Sequence, residues 1–354
     1  MTPKQRILNA IEGKPSDVTP VGIHVWGQYK FALYGIHNDY SEERKAWAIG
    51  GAELADIDAR FYEQFKPDWL HLTEGPFFDD IKERINAPEN AELLKAVRKM
   101  DSKQAIDEFL DRIYLSADEF EQGPKFKHIP ILVERYGGEV FIALHTEGPI
   151  HDIADTDGVL EFEGTFIAMI EKPEMFAYLA REMYQRQLAY VEAVKRSGAD
   201  CYIQSDSYLY PDLISPDTYE RTMHETLVDF YTKVDEMGII SMCYPLGDCA
   251  GAIKYIKQWP IKGILPEESK KGMNLDPAQI LRDLDYDRAV FGNVDSIGVL
   301  LHGDEKTIRT AVQEQIKSCA SPNFISGFGS PIPFNTPPEN ITAFIQAARE
   351  CRGY

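Results

Sequence analysis

The sequence predicts a (β/α)8 barrel with a helical insertion between its second and third strands. Two observations carry that expectation. Eight short apolar runs recur along the 354 residues, and helical segments separate most of them. No GxGxxG turn follows the first run, which sets aside an open doubly wound sheet. A hydrophobic fraction of 44% supports a sizeable core, and the chain reads as one domain over residues 1–354.

The elements follow in order. The polar, helical start "MTPKQRILNAIEGK" precedes the first run, "VTPVGIHVW" (18–26). A helical stretch over 41–65 leads to "DWLHLTEG" (68–75), and a charged excursion over 76–135 forms the predicted insertion before "EVFIALHTEG" (139–148). A helix over 174–198 ends at a glycine ahead of "ADCYIQSDS" (199–207). Another, over 215–238, opens on Ser215-Pro216, a cap-then-proline start, and leads into "GIISMCYPLG" (238–247). The remaining runs are "KGILPEES" (262–269), "RAVFGNVDS" (288–296) and "NFISGFGS" (323–330).

Composition excludes several functions. With 57 acidic against 37 basic residues, the formal net charge of -20 argues against a nucleic-acid partner, which needs clustered Lys and Arg. No apolar run is long enough to span a bilayer and the N-terminus is not signal-like, so no membrane role and a cytoplasmic location are expected. Five scattered cysteines without a CxxC pair argue against a disulfide framework.

In a barrel of this kind, chemistry sits where strands finish. The predicted strand ends supply His24 and Gln28, then Glu74, then His145, Glu147 and His151, then Asp206 and Ser207. The later ones supply Cys243 and Asp248, Glu267 and Glu268, Asn293 and Asp295, and Ser330. Side chains alternate along a strand, so His145 and Glu147 share a face and should both point to the barrel axis if either does, and Ser241 and Cys243 share a face for the same reason. Aromatic residues (Trp26, Tyr29, Phe31, Tyr34, Phe77, Phe78, Tyr208, Tyr210, Phe328 and Phe334) fall on candidate mouth loops, and with few cations they suit a neutral or flat ligand.

Several stretches resemble the uroporphyrinogen decarboxylase superfamily. They are "MTPKQRILNAIEGKPSDVTPV" at the start, "HTEGPIHDIAD" (145–155), "QSDSYLYPDLISPDTYE" (204–220), "GNVDSIGVLLHG" (292–303) and "GSPIPFNTPPENITAFIQAARE" (329–350). The resemblance implies a barrel with a deep cleft and two possible chemistries, cofactor-free decarboxylation or methyl transfer involving cobalamin, commonly with zinc. Where the decarboxylase branch carries arginines, this chain reads "IHVWGQYKFALYG" with only Lys30 cationic, and Ser330 replaces its final histidine. Where the thiol-methylating branch supplies His-x-Cys and a final cysteine as zinc ligands, this chain has Ser241-Met242-Cys243 and Ser330.

The resemblance favours a corrinoid-dependent methyltransferase that moves a methyl group between a small substrate, for instance a methoxylated aromatic, and a cobalamin carried on a partner protein. Asp206, His145, Glu147 and His151 are the candidate catalytic groups, suited to helping a poor oxygen leaving group depart. Cys243, His145 and Glu147 are candidate zinc ligands, with His151, Glu74 and Asp206 as further ones. His24, Trp26, Gln28, Tyr29, Glu74, Tyr208, Asn293 and Ser330 are candidate substrate contacts. Blander roles stay open: His145 as a hydrogen-bonding group, Glu147 and Asp206 as turn caps, Cys243 and Cys249 as buried thiols, and Asn293 and Asp295 as structural ties. A cofactor-free decarboxylase, a non-catalytic ligand-binding barrel and a homo-oligomer also remain open.

Overall fold

A parallel strand cannot reach its neighbour through a tight turn, so each apolar run must be followed by a crossover long enough for a helix. The computed structural model describes residues 1–36, 51–73, 79–123, 126–210, 213–270 and 272–351. Among them, seven strands form one parallel sheet in chain order: β1 (Trp69–Thr73), β2 (Phe141–Glu147), β3 (Cys201–Asp206), β4 (Ile240–Pro245), β5 (Gly263–Ile264), β6 (Ala289–Phe291) and β7 (Phe324–Ile325). Pairing is parallel throughout, with Thr73 opposite His145 and Glu147 opposite Ser205.

The first expected strand, 18–26, is not a regular strand. It makes a single bridge, Val21 to Ser326, yet it touches both edges of the sheet. Gly22 N–H donates to Ser326 O and Ser326 N–H to Pro20 O, each at 2.9 Å, while Asp68 N–H donates to Val21 O at 2.8 Å. Pro20 has no N–H to offer a ladder, which limits this segment to sparse pairing. The curled α/β sheet is consistent with a TIM barrel.

Two apolar clusters mark the two faces of the sheet. Trp69, Phe141, Ala143, Cys201, Ile203, Met242, Tyr244, Leu265, Ala289, Phe291 and Ile325 pack together with Ile7 and Ala10 of the N-terminal helix, α1 (Pro3–Ile11). The alternate residues Leu70, Leu72, Ile142, Leu144, Tyr202, Cys243, Ile264, Val290 and Phe324 join the larger cluster made with the surrounding helices. The first set is the inner face and the second the outer, as alternation along each strand requires. At the end where the strands begin, Lys4 N–H donates to Glu139 O at 2.8 Å and Asn323 Nδ2 to Ala10 O at 3.0 Å, so α1 closes that end.

Between β1 and β2 lie α-helices Asp79–Ile85, Ala91–Arg98, Lys103–Ile113, Ala117–Gln122 and His128–Tyr136. Helix Pro173–Arg196 spans nearly the predicted range. The predicted 215–238 helix is divided into Pro216–Tyr219, a wide turn Glu220–His224, and Glu225–Glu236. Thr222 Oγ1 donates to Thr218 O at 2.6 Å in that wide turn, a side-chain bond that bends helices. Of the helix expected at 41–65, Gly51–Phe65 is seen and residues 41–50 lie outside the described residues. Among the described residues no helix is long and apolar enough to cross a membrane.

Candidate functional site

Three histidines meet on the inner face, one from each of three neighbouring segments. His24 comes from the segment before α2 (Gly27–Leu33), His71 from β1 and His145 from β2. Their ring centroids form a nearly equilateral triangle with sides of 4.9, 5.1 and 5.2 Å, and all three residues are buried. Tyr244 meets His24 and His145 edge-on, at 4.7 and 5.5 Å.

Burial holds all three rings neutral, His145 as low as about 4 and the other two well below the usual histidine range. Neutrality fixes the proton positions. His71 Nδ1 lies 2.9 Å from the carbonyl of Val25 and must donate to it, which leaves Nε2 to accept. His145 Nδ1–H therefore donates to His71 Nε2 at 2.9 Å, and His145 Nε2 accepts from the Ser205 hydroxyl at 2.8 Å. His24 Nε2 accepts from the Trp26 indole at 2.8 Å, while its Nδ1 is buried with no hydrogen-bond partner.

Further along the chain, a fourth histidine is charged. His151 Nε2 is 2.7 Å from Glu147 Oε2, and its Nδ1 is 3.7 Å from Asp155 Oδ1. Burial alone would lower its pKa, but the two carboxylates outweigh burial and lift it to about 10. Asp155 is held well below the usual carboxylate range against its own burial by His151, by Lys82 at 2.8 Å and by the Tyr208 hydroxyl at 2.5 Å. Tyr208 adopts a left-handed φ of 64°, a strained backbone for a non-glycine residue. Gly148 lets β2 end against β3, since a Cβ there would lie 2.7 Å from Ser205 O.

Asp206 lies elsewhere. Instead of opening to a mouth, its fully buried side chain points to the outer face. It accepts from Tyr184 at 2.9 Å, Tyr231 at 2.6 Å and Gln204 at 2.9 Å, and the Cys243 thiol approaches at 3.7 Å. Burial raises its pKa even though three donors oppose the shift. It shares the parity of Tyr202 and Gln204, opposite to Ser205, so alternation from the strand start predicts this outward direction.

The remaining candidates scatter. Cys243 sits by Asp206 with its thiol pushed well up, first by burial and then by that carboxylate. All five cysteines are free and buried, and burial, then Asp248, lifts Cys249 to about 12. Asn293 donates to the carbonyls of Glu267 and Leu275, each at 2.8 Å, and Asp295 accepts from the N–H groups of Ile297 and Gly298, so both tie the chain locally. Glu267 accepts from Gly247 N–H at 3.0 Å, Glu268 from Ser296 N–H at 2.8 Å, and Asp248 from Ala250 N–H at 3.2 Å.

Lys30 is paired with Asp58 at 2.5 Å. Tyr29, Phe31, Tyr210 and Phe328 are core residues, which removes four of the ten aromatics expected at the mouth; Trp26, Gln28 and Ser330 are half-buried. Glu74, Phe77 and Phe78 lie outside the described residues. Sequence reasoning passed over His71 and Ser205, although a histidine inside the apolar run "DWLHLTEG" was a usable signal.

The family model described as Uroporphyrinogen decarboxylase (URO-D) matches residues 91–351. The chain belongs to the uroporphyrinogen decarboxylase family. Two relatives are each named Methylcobamide:CoM methyltransferase MtaA: one from Methanosarcina barkeri, 24% identical, and one from Methanosarcina barkeri (strain Fusaro / DSM 804), 26% identical. Each match covers 99% of this chain and 98% of the relative. A solved structure described as a methyltransferase from Methanosarcina mazei superposes with a TM-score of 0.77 at 19% identity, covering 99% of both chains, and supports the fold.

The zinc site implied by this family's methyl-transfer branch does not fit here. At the three positions where the sequence resemblance places those ligands, Ser241 and Ser330 carry hydroxyls, which are poor zinc donors, and Cys243 faces Asp206 on the outer face. Cys243, His145 and Glu147 are not gathered either: Glu147 is engaged by His151, and among the described residues the close set of three metal-competent side chains is His24, His71 and His145.

Proposed function

We propose that this chain is a methyltransferase moving a methyl group between a small substrate and a cobalamin carried on a separate protein. The observation that carries the reading is end-to-end similarity, at 24% and 26% identity, to two proteins named for methyl transfer from a methylcobamide. The corrinoid would supply the cobalt centre that exchanges the methyl group. This chain would position the substrate and manage its charge.

The end of β2 suits that task. An oxygen or sulfur that loses a methyl group gains negative charge and needs a cation or a proton close by. His151, kept as an imidazolium by Glu147 and Asp155, is the best source of both. His145, neutral and bonded to Ser205, can orient a polar substrate atom but is too weak a base to hold a proton at neutral pH. The groups gathered here are histidines, carboxylates and hydroxyls, with no arginine among the described ones, which weighs against a polycarboxylate substrate. In this reading the fold is an eight-staved barrel in one domain, with segment 20–25 as the first stave and the helices over 79–136 as the insertion.

The test is spectroscopic. Purified protein is mixed with methylcobalamin and a small thiol, and separately with reduced cobalamin and a methoxylated aromatic, with the corrinoid free or on its carrier. One pair should show a protein-dependent change in the corrinoid spectrum, slowed roughly a hundredfold by His151→Gln, a typical proton-transfer contribution. Release of carbon dioxide from a small carboxylate, with both corrinoid spectra unchanged, would replace this reading with the decarboxylase.

A further inference from the structure

We propose that His24, His71 and His145 form a three-histidine site for a divalent metal of the zinc class, with an open fourth position that takes an anionic ligand such as hydroxide or a thiolate. The site uses none of the positions at which the family resemblance places zinc, and it stands independently of the methyl-transfer reading.

The dimensions fit. One ring nitrogen from each histidine lies within 4.8 Å of the other two. A tetrahedral zinc with bonds of about 2.0 Å places its imidazole centroids roughly 5 Å apart. The triangle of 4.9, 5.1 and 5.2 Å already has that size. The nitrogens of such a site are about 3.3 Å apart, so the His71–His145 pair must open slightly from its hydrogen bond; that bond is now 2.9 Å long.

The outer hydrogen bonds are also in place. Metal ligation needs one lone pair per ring, with the second nitrogen held as a donor. His71 already donates Nδ1–H to Val25 O, which leaves Nε2 for the metal. For His145 to ligate through Nδ1, its proton moves to Nε2 and the bond to Ser205 reverses, so that the serine oxygen accepts. The proton count does not change.

His24 supplies the independent sign. It is 1% exposed, and its Nδ1 is buried without a partner, a penalty that a packed core normally avoids. A neutral imidazole has a single lone pair. If Nε2 binds the metal, it leaves the Trp26 indole; if Nδ1 binds, the proton sits on Nε2 and faces the indole N–H, donor to donor. Coordination by either nitrogen therefore breaks the Trp26–His24 bond. Trp26, half-buried and packed beside both His24 and His145, is the side chain that must yield as the metal enters.

Three neutral ligands leave both charges of the metal uncompensated in a buried place, and a nearby carboxylate, Glu147, is occupied by His151. An anion in the fourth position is the cheapest way to restore balance.

The experiment reads metal binding, not turnover. Protein prepared without chelator and incubated with zinc should retain about one ion per chain by elemental analysis, as one tetrahedral site requires. Retention should fall at least tenfold in His71→Gln and persist in Cys243→Ser. Zinc addition should also change tryptophan fluorescence, and Trp26→Phe should abolish that change. Cobalt(II) in its place should give four-coordinate visible bands in wild type, with a near-ultraviolet thiolate-to-cobalt band appearing only after a small thiol is added.

Three results would overturn the proposal: no bound ion, loss of the ion in Cys243→Ser with retention in His71→Gln, or a thiolate band before thiol is added. Circular dichroism identifies variants that fail to fold, and the wild-type cobalt spectrum then decides alone.

Discussion

His145 and His151 stand six residues apart, both buried, and at neutral pH the first is neutral and the second a cation. His145 is surrounded by other neutral rings, a hydroxyl and Trp26, and burial drives its pKa to about 4. His151 lies between Glu147 and Asp155, which lift its pKa to about 10 despite equal burial. Burial sets the direction of a histidine's shift only when nothing charged is in contact; two carboxylates within one turn reverse it. One strand end thus holds a neutral trio able to offer lone pairs and a fixed cation able to offer a proton.

Removing the cause of that contrast should have the largest effect. Glu147→Gln takes one carboxylate from a buried ion pair and should lower unfolding free energy by about 3 kcal/mol at neutral pH, read by urea denaturation. It should also bring the His151 titration, followed by NMR, down towards the ordinary histidine range. An unchanged titration would show that Asp155 alone sets the charge.

The pH profile of the parent protein carries the same contrast with two signs. The folded-state pKa of His151 is raised, so its contribution is fully present below about pH 6.5, the unfolded value. It is lost as pH rises through about 10. The trio is lowered, so the unfolded chain binds more protons in acid, and stability falls as pH drops from about 6.5 towards about 4, where His145 titrates. Glu147→Gln should flatten the alkaline arm and, because Glu147 also holds His145 up, move the acid arm to slightly lower pH.

A smaller effect is expected within the trio. His71→Leu leaves His145 Nδ1–H and Val25 O without partners and should cost about 2 kcal/mol in the same urea assay. The smallest belongs to Trp26→Phe, which removes one neutral hydrogen bond from a half-buried ring and should cost under about 1 kcal/mol.

Much of the fold was legible because its signals are local. Seven of the eight apolar runs contain a strand, and the glycine ends and the Ser215-Pro216 start mark helix limits near those observed. The first run departs from expectation because Pro20 limits its ladder, a penalty its apolar pattern does not reveal. The candidate site was legible in part. The strand end at 145–151 stands out by its residue types, yet Asp206 was read as facing the mouth when it is bonded to Tyr184 and Tyr231 beneath the helices.

The sequence by itself determined the alternation of apolar runs and helices and the shared face of His145 and Glu147, because each is a property of residue type and near spacing. Only the tertiary structure decided which parity of each strand faces inward, that His24 and His71 join His145 across the chain, and that His151 is charged while His145 is not. The first two outcomes rest on contacts between residues tens to more than a hundred positions apart, and the third on burial acting beside two carboxylates only four positions from His151. Burial and electrostatics act through distance in space, which one-dimensional order does not carry.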